Sequence, residues 1–269
     1  MIELFEQQLK KTDRHSSKGN QLKWENEGIW YKADYTGYEG LAEYVISRLL
    51  DYSNLQEEEY VKYEIEQIRY RNQVYLGAKS RNLLSGDWQI ITLERLFKNR
   101  FNQSLHSALW NIQDVKERMK FLCDQTERIT GIKGFGIYMT KLLTIDAFFK
   151  NEDRHTHNIA VLMNAAGEFQ LCPMFDHGAG LLADTTLDYP LNADTLALMD
   201  VVQAKTISTD FDEQLDVAEE LYGQQIWFTF TRKDVDEIFE EVKLYDEKIR
   251  ERVRTIIYQQ MRKYAYLFR

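Results

Sequence analysis

The sequence predicts an α+β protein in which a small β-rich part precedes a larger helical part. Aromatic and polar residues alternate from about residue 20 to 35, in QLKWENEGIWYKADY, around the turn-like ENEG, which predicts a β-hairpin. Beyond about residue 105 the pattern turns helical, and the charged, amphipathic tail from Lys233 to Phe268 predicts two packed helices. We therefore expect one domain over residues 1–269, with a β-rich lobe over 1–90 and a helical lobe over 91–269.

The remaining elements follow in chain order. GLAEYVISRLL after the hairpin has helical spacing, QVYLGAKS reads as a strand, and a turn around Ser85-Gly86 leads to DWQIITLERLF, an apolar segment that runs into a helix. The segment YMTKLLTIDAFFK repeats at i, i+3 and i+4 and predicts a long helix. Its recurring positions are Met139, Leu142, Leu143, Asp146 and Phe149.

The composition excludes several classes of protein. A net charge of −9 argues against affinity gained by covering a nucleic-acid backbone, which needs a surplus of Lys and Arg. Cys123 and Cys172 lack the spacing of a metal or redox pair, so we expect reduced core thiols in a cytoplasmic protein. The chain has no apolar run of signal-peptide or membrane-span length.

A polar loop with unusual chemistry follows the long predicted helix. NEDRHTHN, residues 151–158, cannot continue the apolar stripe, and IAVLM, NAAGE and FQLC then read as a strand, a turn and a second strand. Asn158 stands just before this hairpin and Asp176 just after it, so we expect the two side chains to lie side by side.

These residues match the needs of magnesium-assisted phosphoryl transfer. An amide and a carboxylate, Asn158 and Asp176, supply hard oxygen ligands for Mg²⁺, while Asp153 is free to orient or deprotonate an attacking hydroxyl. A rival hypothesis is a transition-metal site for hydrolysis, formed by Asp153, His155, His157 and His177. His155 and His157 alone are a weak signal for such a site.

The spacing resembles the HipA-like family of bacterial Ser/Thr kinases, in the stand-alone form without the N-terminal subdomain of HipA itself. The family pattern is an Asp, a His two residues later and an Asn five residues later, followed after a hairpin by Pro and an aromatic-Asp pair. The matching residues are Asp153, His155, Asn158, Pro173 and Phe175-Asp176. The resemblance implies a two-lobed fold similar to protein kinases and phosphatidylinositol kinases.

The resemblance also implies where a nucleotide binds. SSKGNQLKW, residues 16–24, resembles the phosphate-binding loop of the family, with matches at Ser16, Gly19, Gln21 and Lys23 and with Ser17 beside them. Lys32 corresponds to the lysine that contacts the α- and β-phosphates, and Glu43 to the helix glutamate that pairs with it, with Glu39 as the competing choice. Gly77 and Ala78 correspond to the hinge beside the adenine ring.

The implied activity is transfer of phosphate from ATP, with Mg²⁺, to Ser or Thr of a protein substrate. His155 is then expected to support the catalytic loop, and Ser16 or Ser17 is a candidate autophosphorylation site whose dianion would compete with ATP. Since the chain begins just upstream of the phosphate loop, we expect it to lack the subdomain through which HipA contacts its DNA-binding antitoxin. Toxicity and an inhibitory protein partner therefore stay open.

Three alternatives remain beside the protein kinase. A lipid kinase of the phosphatidylinositol type needs a basic or apolar membrane face, and the acidic chain has no polybasic segment. A nucleotide-binding pseudokinase is disfavoured because every expected catalytic position is filled. The histidine and aspartate metal phosphohydrolase is the fourth hypothesis.

Overall fold

The computed structural model describes residues 1–10 and 21–269 and has an α+β fold. The strands are β1 Ile2–Glu3, β2 Lys23–Asn26, β3 Ile29–Ala33, β4 Glu64–Tyr70, β5 Gln73–Arg81, β6 Gln89–Thr92, β7 Ala160–Met163 and β8 Phe169–Leu171. The helices are α1 Glu39–Leu50, α2 Leu93–Phe101, α3 Leu105–Trp110, α4 Val115–Thr130, α5 Phe135–Phe149, α6 Thr195–Val201, α7 Phe211–Tyr222, α8 Arg232–Glu241 and α9 Glu247–Lys263. The predicted hairpins, the long helix and the two C-terminal helices are confirmed.

The chain divides into two compact units that are not consecutive in sequence. Unit 1 contains Met1–Leu83, Phe175–Val202 and Trp227–Arg269, and unit 2 contains Leu84–Met174 and Gln203–Ile226. The predicted lobes over 1–90 and 91–269 stay a prediction; in this division Phe175–Val202 and Trp227–Arg269 belong to unit 1, and β6 pairs with β7 within unit 2. Among the described residues, no helix has both the length and the apolar character that crossing a membrane requires.

Unit 1 is built on a five-stranded sheet in the order β1-β4-β5-β3-β2. All neighbours are antiparallel except β1 and β4. Two-residue turns join β2 to β3 and β4 to β5, and both residues of each turn have positive φ, at Glu27-Gly28 and Arg71-Asn72. This geometry suits the right-handed twist of paired strands and sets their register, with Lys23 directly opposite Lys32.

Helix α1 approaches the sheet closely because two glycines face each other. A Cβ at Gly40 would lie 2.5 Å from the backbone carbon of Gly77 in β5, so a side chain at this point would push the helix away. Residues one turn apart share a helix face, and Glu43 follows Gly40 by three positions. The close approach at Gly40 therefore sets how Glu43 is presented to the neighbouring strands.

Unit 2 contains the second sheet, β6-β7-β8, and a helical layer centred on α5. Thirteen of the fifteen residues of α5 are buried, which is expected of a helix that is apolar on all sides and packs against α4 and α7. Cys123 and Cys172 are both buried free thiols, as predicted. Helix α5 ends at Phe149, and Lys150 then adopts a left-handed conformation from which the polar loop begins.

Candidate functional site

Lys32 on β3 forms two ion pairs within unit 1. Its Nζ lies 2.5 Å from Oε1 of Glu43 and 2.9 Å from Oδ1 of Asp176. The three side chains differ in exposure, at 14% for Lys32, 3% for Glu43 and 30% for Asp176. Asp176 is thus the member of the group that a ligand can reach from solvent.

The charges of this group are strongly coupled. Burial acts to lower the pKa of Lys32, but the carboxylates of Asp176 and Glu43 raise it well above its usual value, so the ammonium is permanent near neutral pH. Burial raises the pKa of Glu43, and the Lys32 ammonium opposes this. The Lys23 charge also acts on Glu43, so the partly exposed Asp176 is the carboxylate of this pair that a further cation can approach from solvent.

Glu43, and not Glu39, is the partner of Lys32. The carboxylate of Glu39 accepts hydrogen bonds from N–H and Oγ1 of Thr36, at 2.7 and 2.8 Å, and from the N–H of Gly37 at 3.2 Å. It therefore caps the segment that precedes α1. The structure separates two acids that the sequence left as competing choices.

Asp34, two residues after Lys32, ties the start of α1 to the C-terminal part of unit 1. Its Oδ1 accepts a hydrogen bond from the N–H of Gly40 at 2.6 Å, and its Oδ2 accepts one from the hydroxyl of Tyr245 at 2.8 Å. Burial raises the pKa of Asp34 from 3.8 to about 7, although both hydrogen bonds lower it. Asp34 was not identified from sequence.

Asp176 has a left-handed backbone conformation, with φ of 61°. Few residues other than glycine adopt this conformation, although aspartate tolerates it better than most. The conformation is found where the carboxylate reaches Lys32 and where the next residue, His177, is buried. Strain of this kind at a charged group is typical of functional sites.

In unit 2, the loop after α5 places Asn158 against Asp153. Nδ2 of Asn158 donates to the backbone oxygen of Asp153 at 2.8 Å and to its Oδ2 at 3.1 Å. The backbone N–H of Asn158 donates to the carbonyl of His155 at 2.7 Å. Since both amide protons of Asn158 are used, its Oδ1 is the atom that remains to bind a ligand.

His155 lies beside Asp153, with Nε2 at 3.6 Å from Oδ1 of the carboxylate. Burial lowers the pKa of His155, and the Asp153 charge opposes this, whereas His157 and Lys205 lower it further. The imidazole is therefore neutral near pH 7. Its Nδ1 accepts a hydrogen bond from the N–H of His157 at 3.2 Å, so its proton sits on Nε2 and faces Asp153.

A buried ion pair that the sequence analysis missed fixes the same loop. Nε and Nη2 of Arg154 donate to the two carboxylate oxygens of Asp146 on α5, at 2.9 and 3.2 Å. Nη1 of Arg154 donates to the carbonyl of Asn158 at 2.9 Å. The signal was an acid inside the apolar stripe of α5, because a fully buried carboxylate requires a partner.

The segment after α6 is anchored to this loop. Oγ1 of Thr206 donates to the carbonyl of Arg154 at 2.6 Å, and Nη1 of Arg118 donates to the carbonyl of Ile207 at 2.8 Å. Lys205, next to Thr206, is near enough to His155 to disfavour its protonation. Lys205 was not identified from sequence.

Besides Lys32, three of the predicted nucleotide-binding residues lie in strands of unit 1. Gly77 and Ala78 lie inside β5, where they pair with both β3 and β4, and the chain leaves unit 1 only after Leu83. Gly77 allows the approach of α1, and Ala78 belongs to a buried cluster with Tyr63; their place beside an adenine ring stays a prediction. Lys23 is in strand β2 and not in a loop.

The other predicted positions have different outcomes. Ser16, Ser17 and Gly19 lie outside the described residues, while Gln21 stands just before β2. The adjacency of Asn158 and Asp176 stays a prediction, because the two residues belong to different units. Among residues 1–10 and 21–269, no group of three or more His, Cys, Asp or Glu side chains is arranged to hold a metal.

The fold is similar to that of a Helicobacter pylori proinflammatory kinase, CtkA, whose crystal structure superposes with a TM-score of 0.61. The match covers 97% of this chain and 95% of that chain, at 16% sequence identity. No protein-family model matches the chain, and no curated protein matches it in sequence. The chain therefore has a kinase-like α+β fold, as the sequence predicted.

Proposed function

We propose that the protein is an ATP- and Mg²⁺-dependent kinase that phosphorylates Ser or Thr hydroxyls of a protein substrate. The observation that carries the proposal is the placement of Lys32 between Glu43 and Asp176, at 2.5 and 2.9 Å. In protein kinases a strand lysine paired with a helix glutamate contacts the nucleotide phosphates, and the acid of an aromatic-Asp pair holds Mg²⁺ beside them. The likeness of the fold to a kinase supports the same conclusion.

Lys32 and Lys23 suit the phosphates of ATP. They lie directly opposite each other on neighbouring antiparallel strands, so their side chains project from the same face of the sheet. The Lys23 charge also acts on Glu43, where it lowers the pKa. In this proposal Glu43 holds the Lys32 ammonium in place, and the ammonium contacts the α- and β-phosphates.

Asp176 and Asn158 have the donor atoms that suit Mg²⁺. The partly exposed carboxylate of Asp176 and the amide Oδ1 of Asn158 are hard oxygen ligands, which are the donors that Mg²⁺ prefers. When bound, Mg²⁺ neutralises the charge that develops on the phosphate oxygens during transfer. In this proposal, Asp176 and Asn158 are the protein ligands of the Mg²⁺ ion that is used in phosphate transfer.

Asp153 is the proposed base. One carboxylate oxygen is held by Nδ2 of Asn158, and the other faces the Nε2 proton of neutral His155. The hydroxyl oxygen of the substrate forms a bond to the γ-phosphorus as the bond to the β–γ bridging oxygen of ATP breaks, and Asp153 takes the hydroxyl proton. His155 orients the carboxylate and stays neutral.

The proposal is tested with γ-labelled ATP, Mg²⁺ and a bacterial lysate as the source of acceptor proteins. We expect the wild-type chain to label protein. Asp153→Asn and Asp176→Asn should each reduce labelling at least about 100-fold, because each keeps the shape of the side chain and removes the carboxylate charge of the proposed base or metal ligand. Asp124→Asn, at an exposed position on α4, is the matched control. Label on lipid alone would indicate a lipid kinase, and ATP binding without transfer a pseudokinase.

Autophosphorylation is a separate part of the proposal. Peptide mapping of the wild-type chain after incubation with ATP and Mg²⁺ should find phosphate on Ser16 or Ser17. Because a dianion there competes with the phosphates of ATP, modified protein should bind ATP more weakly than unmodified protein. Phosphate on other residues would remove this regulatory step and leave the kinase proposal in place.

A further inference from the structure

Tyr63 is an uncharged residue that contacts both Lys32 and Asp176. Its hydroxyl accepts a hydrogen bond from the backbone N–H of Asp176 at 3.3 Å. Its ring centroid lies 5.3 Å from Nζ of Lys32, which is within the range of a cation–π contact. Tyr63 is buried, with 4% of its surface exposed.

Tyr63 is itself held on both sides. Its backbone N–H donates to Oγ of Ser47 on α1 at 3.2 Å, and Ser47 is buried as well. Its side chain packs in a cluster with Val61 and Ala78, against which Phe175 also lies. Ala78 of this cluster pairs with Lys32 across β5 and β3. The Tyr63 hydroxyl therefore occupies a fixed position relative to the strand that carries Lys32.

The hydrogen bond to Tyr63 is donated by the backbone of Asp176, which has an unfavourable left-handed conformation. The carboxylate of Asp176 reaches Lys32 with φ at 61°, and an acceptor for the Asp176 N–H stabilises that conformation. Burial, followed by the nearby Glu43 charge, raises the pKa of Tyr63, so the hydroxyl stays neutral. A neutral acceptor can hold Asp176 without competing with its carboxylate for a cation.

We propose that Tyr63 is a positioning residue that fixes the Asp176 carboxylate for binding of Mg²⁺ with nucleotide. The inference rests on the proposed function and deepens it. It says that the position of the metal-binding carboxylate depends on Tyr63, a residue that is neither charged nor part of the kinase sequence pattern. Tyr63 acts through Asp176 and touches neither phosphate nor hydroxyl in the reaction.

Tyr63→Phe tests the inference, since it keeps the ring and its contact with Lys32 and removes the hydroxyl. Tyr60→Phe is the matched control: Tyr60 is equally buried, and its hydroxyl donates to Oδ1 of Asp51 at 2.5 Å, away from Asp176. We expect the Mg²⁺ concentration for half-maximal phosphate transfer to rise about fivefold in Tyr63→Phe, the change in an equilibrium constant that loss of one hydrogen bond produces. Tyr60→Phe should match the wild type.

A second measurement tests the contact without any activity. Hydrogen exchange of the Asp176 amide, followed by NMR, should accelerate about fivefold in Tyr63→Phe and stay unchanged in Tyr60→Phe. An unchanged exchange rate overturns the contact, and faster exchange with an unchanged Mg²⁺ dependence overturns the positioning role.

The two proposals can fail separately. If the wild-type chain transfers no phosphate, the kinase proposal fails, and its affinity for Mg²⁺ with a non-hydrolysable ATP analogue is then compared between the same variants. A fivefold weaker affinity in Tyr63→Phe supports the inference in that case. Equal affinities in the two variants, or no binding by the wild type, overturn it.

Discussion

Replacing Arg154 with Met keeps a long, unbranched side chain and removes the charge that faces Asp146. The substitution takes away two hydrogen bonds to the Asp146 carboxylate, at 2.9 and 3.2 Å, and one to the carbonyl of Asn158 at 2.9 Å. Arg154 is 1% exposed and Asp146 is 0% exposed, so water cannot replace the lost partner. The change therefore leaves the buried Asp146 carboxylate with the hydrogen bond from Asn151 but without the opposite charge of Arg154.

The expected loss of stability follows from the missing opposite charge. Removing one partner of a buried ion pair costs about 3–5 kcal/mol, because the remaining charge is left uncompensated. Adding Asp146→Asn removes the charge as well, so the double variant should regain at least about 2 kcal/mol over Arg154→Met alone. Both variants still lack the hydrogen bond from Arg154 to the carbonyl of Asn158, so the loop is held less firmly than in the wild type.

The pH dependence has a definite sign. Burial raises the pKa of Asp146 although Arg154 opposes it, and without Arg154 the folded-state pKa rises further above that of the unfolded chain. A group with a raised folded pKa contributes stability that is lost as pH rises through that pKa. Arg154→Met should thus be more destabilised relative to wild type at pH 8 than at pH 5.

The assay is urea unfolding at pH 5 and pH 8, followed by circular dichroism and tryptophan fluorescence, for wild type, Arg154→Met and the double variant. Phosphate transfer is measured on the same proteins, and we expect at least a tenfold loss in the double variant despite its regained stability. Equal destabilisation of the single and double variants, at both pH values, would show that Asp146 is not left as a buried charge. That result would refute the reasoning.

Three further predictions concern other charged groups. Lys32→Met should reduce phosphate transfer at least about 100-fold, measured with labelled ATP, because the ammonium proposed to contact the α- and β-phosphates is removed; transfer near the wild-type rate would contradict this. Lys205→Ala should raise the pKa of His155, followed by NMR titration, since a positive charge that opposes protonation is removed; an unshifted titration would place Lys205 elsewhere. In urea unfolding, the stability of Asp34→Asn relative to the wild type should be about 1.5–2.5 kcal/mol more favourable at pH 8 than at pH 5, because the folded-state pKa of Asp34 is raised. The rise from 3.8 to about 7 makes ionisation of Asp34 oppose folding between those pH values, so a stability difference that does not change with pH would contradict the cause.

Several elements could be predicted from local sequence because their causes are local. The β2–β3 hairpin follows from alternating residues around Glu27-Gly28, and helix α5 from an apolar segment of helical length. The spacing of Asp153, His155 and Asn158 also describes one short loop, whose hydrogen bonds join residues two to five positions apart. Interactions over such distances depend on backbone geometry that the residues themselves favour.

Other features were decided only by the tertiary structure. Lys32 and Asp176 are 144 residues apart, and their ion pair depends on the path of the whole chain through unit 1. The choice between Glu43 and Glu39 was settled by how α1 lies on β5 at Gly77, and the roles of Arg154 and Asp146 by their common burial. Periodicity reports which face of an element is buried, but it does not report which charged groups meet there, because each charge finds its partner only when distant segments pack together.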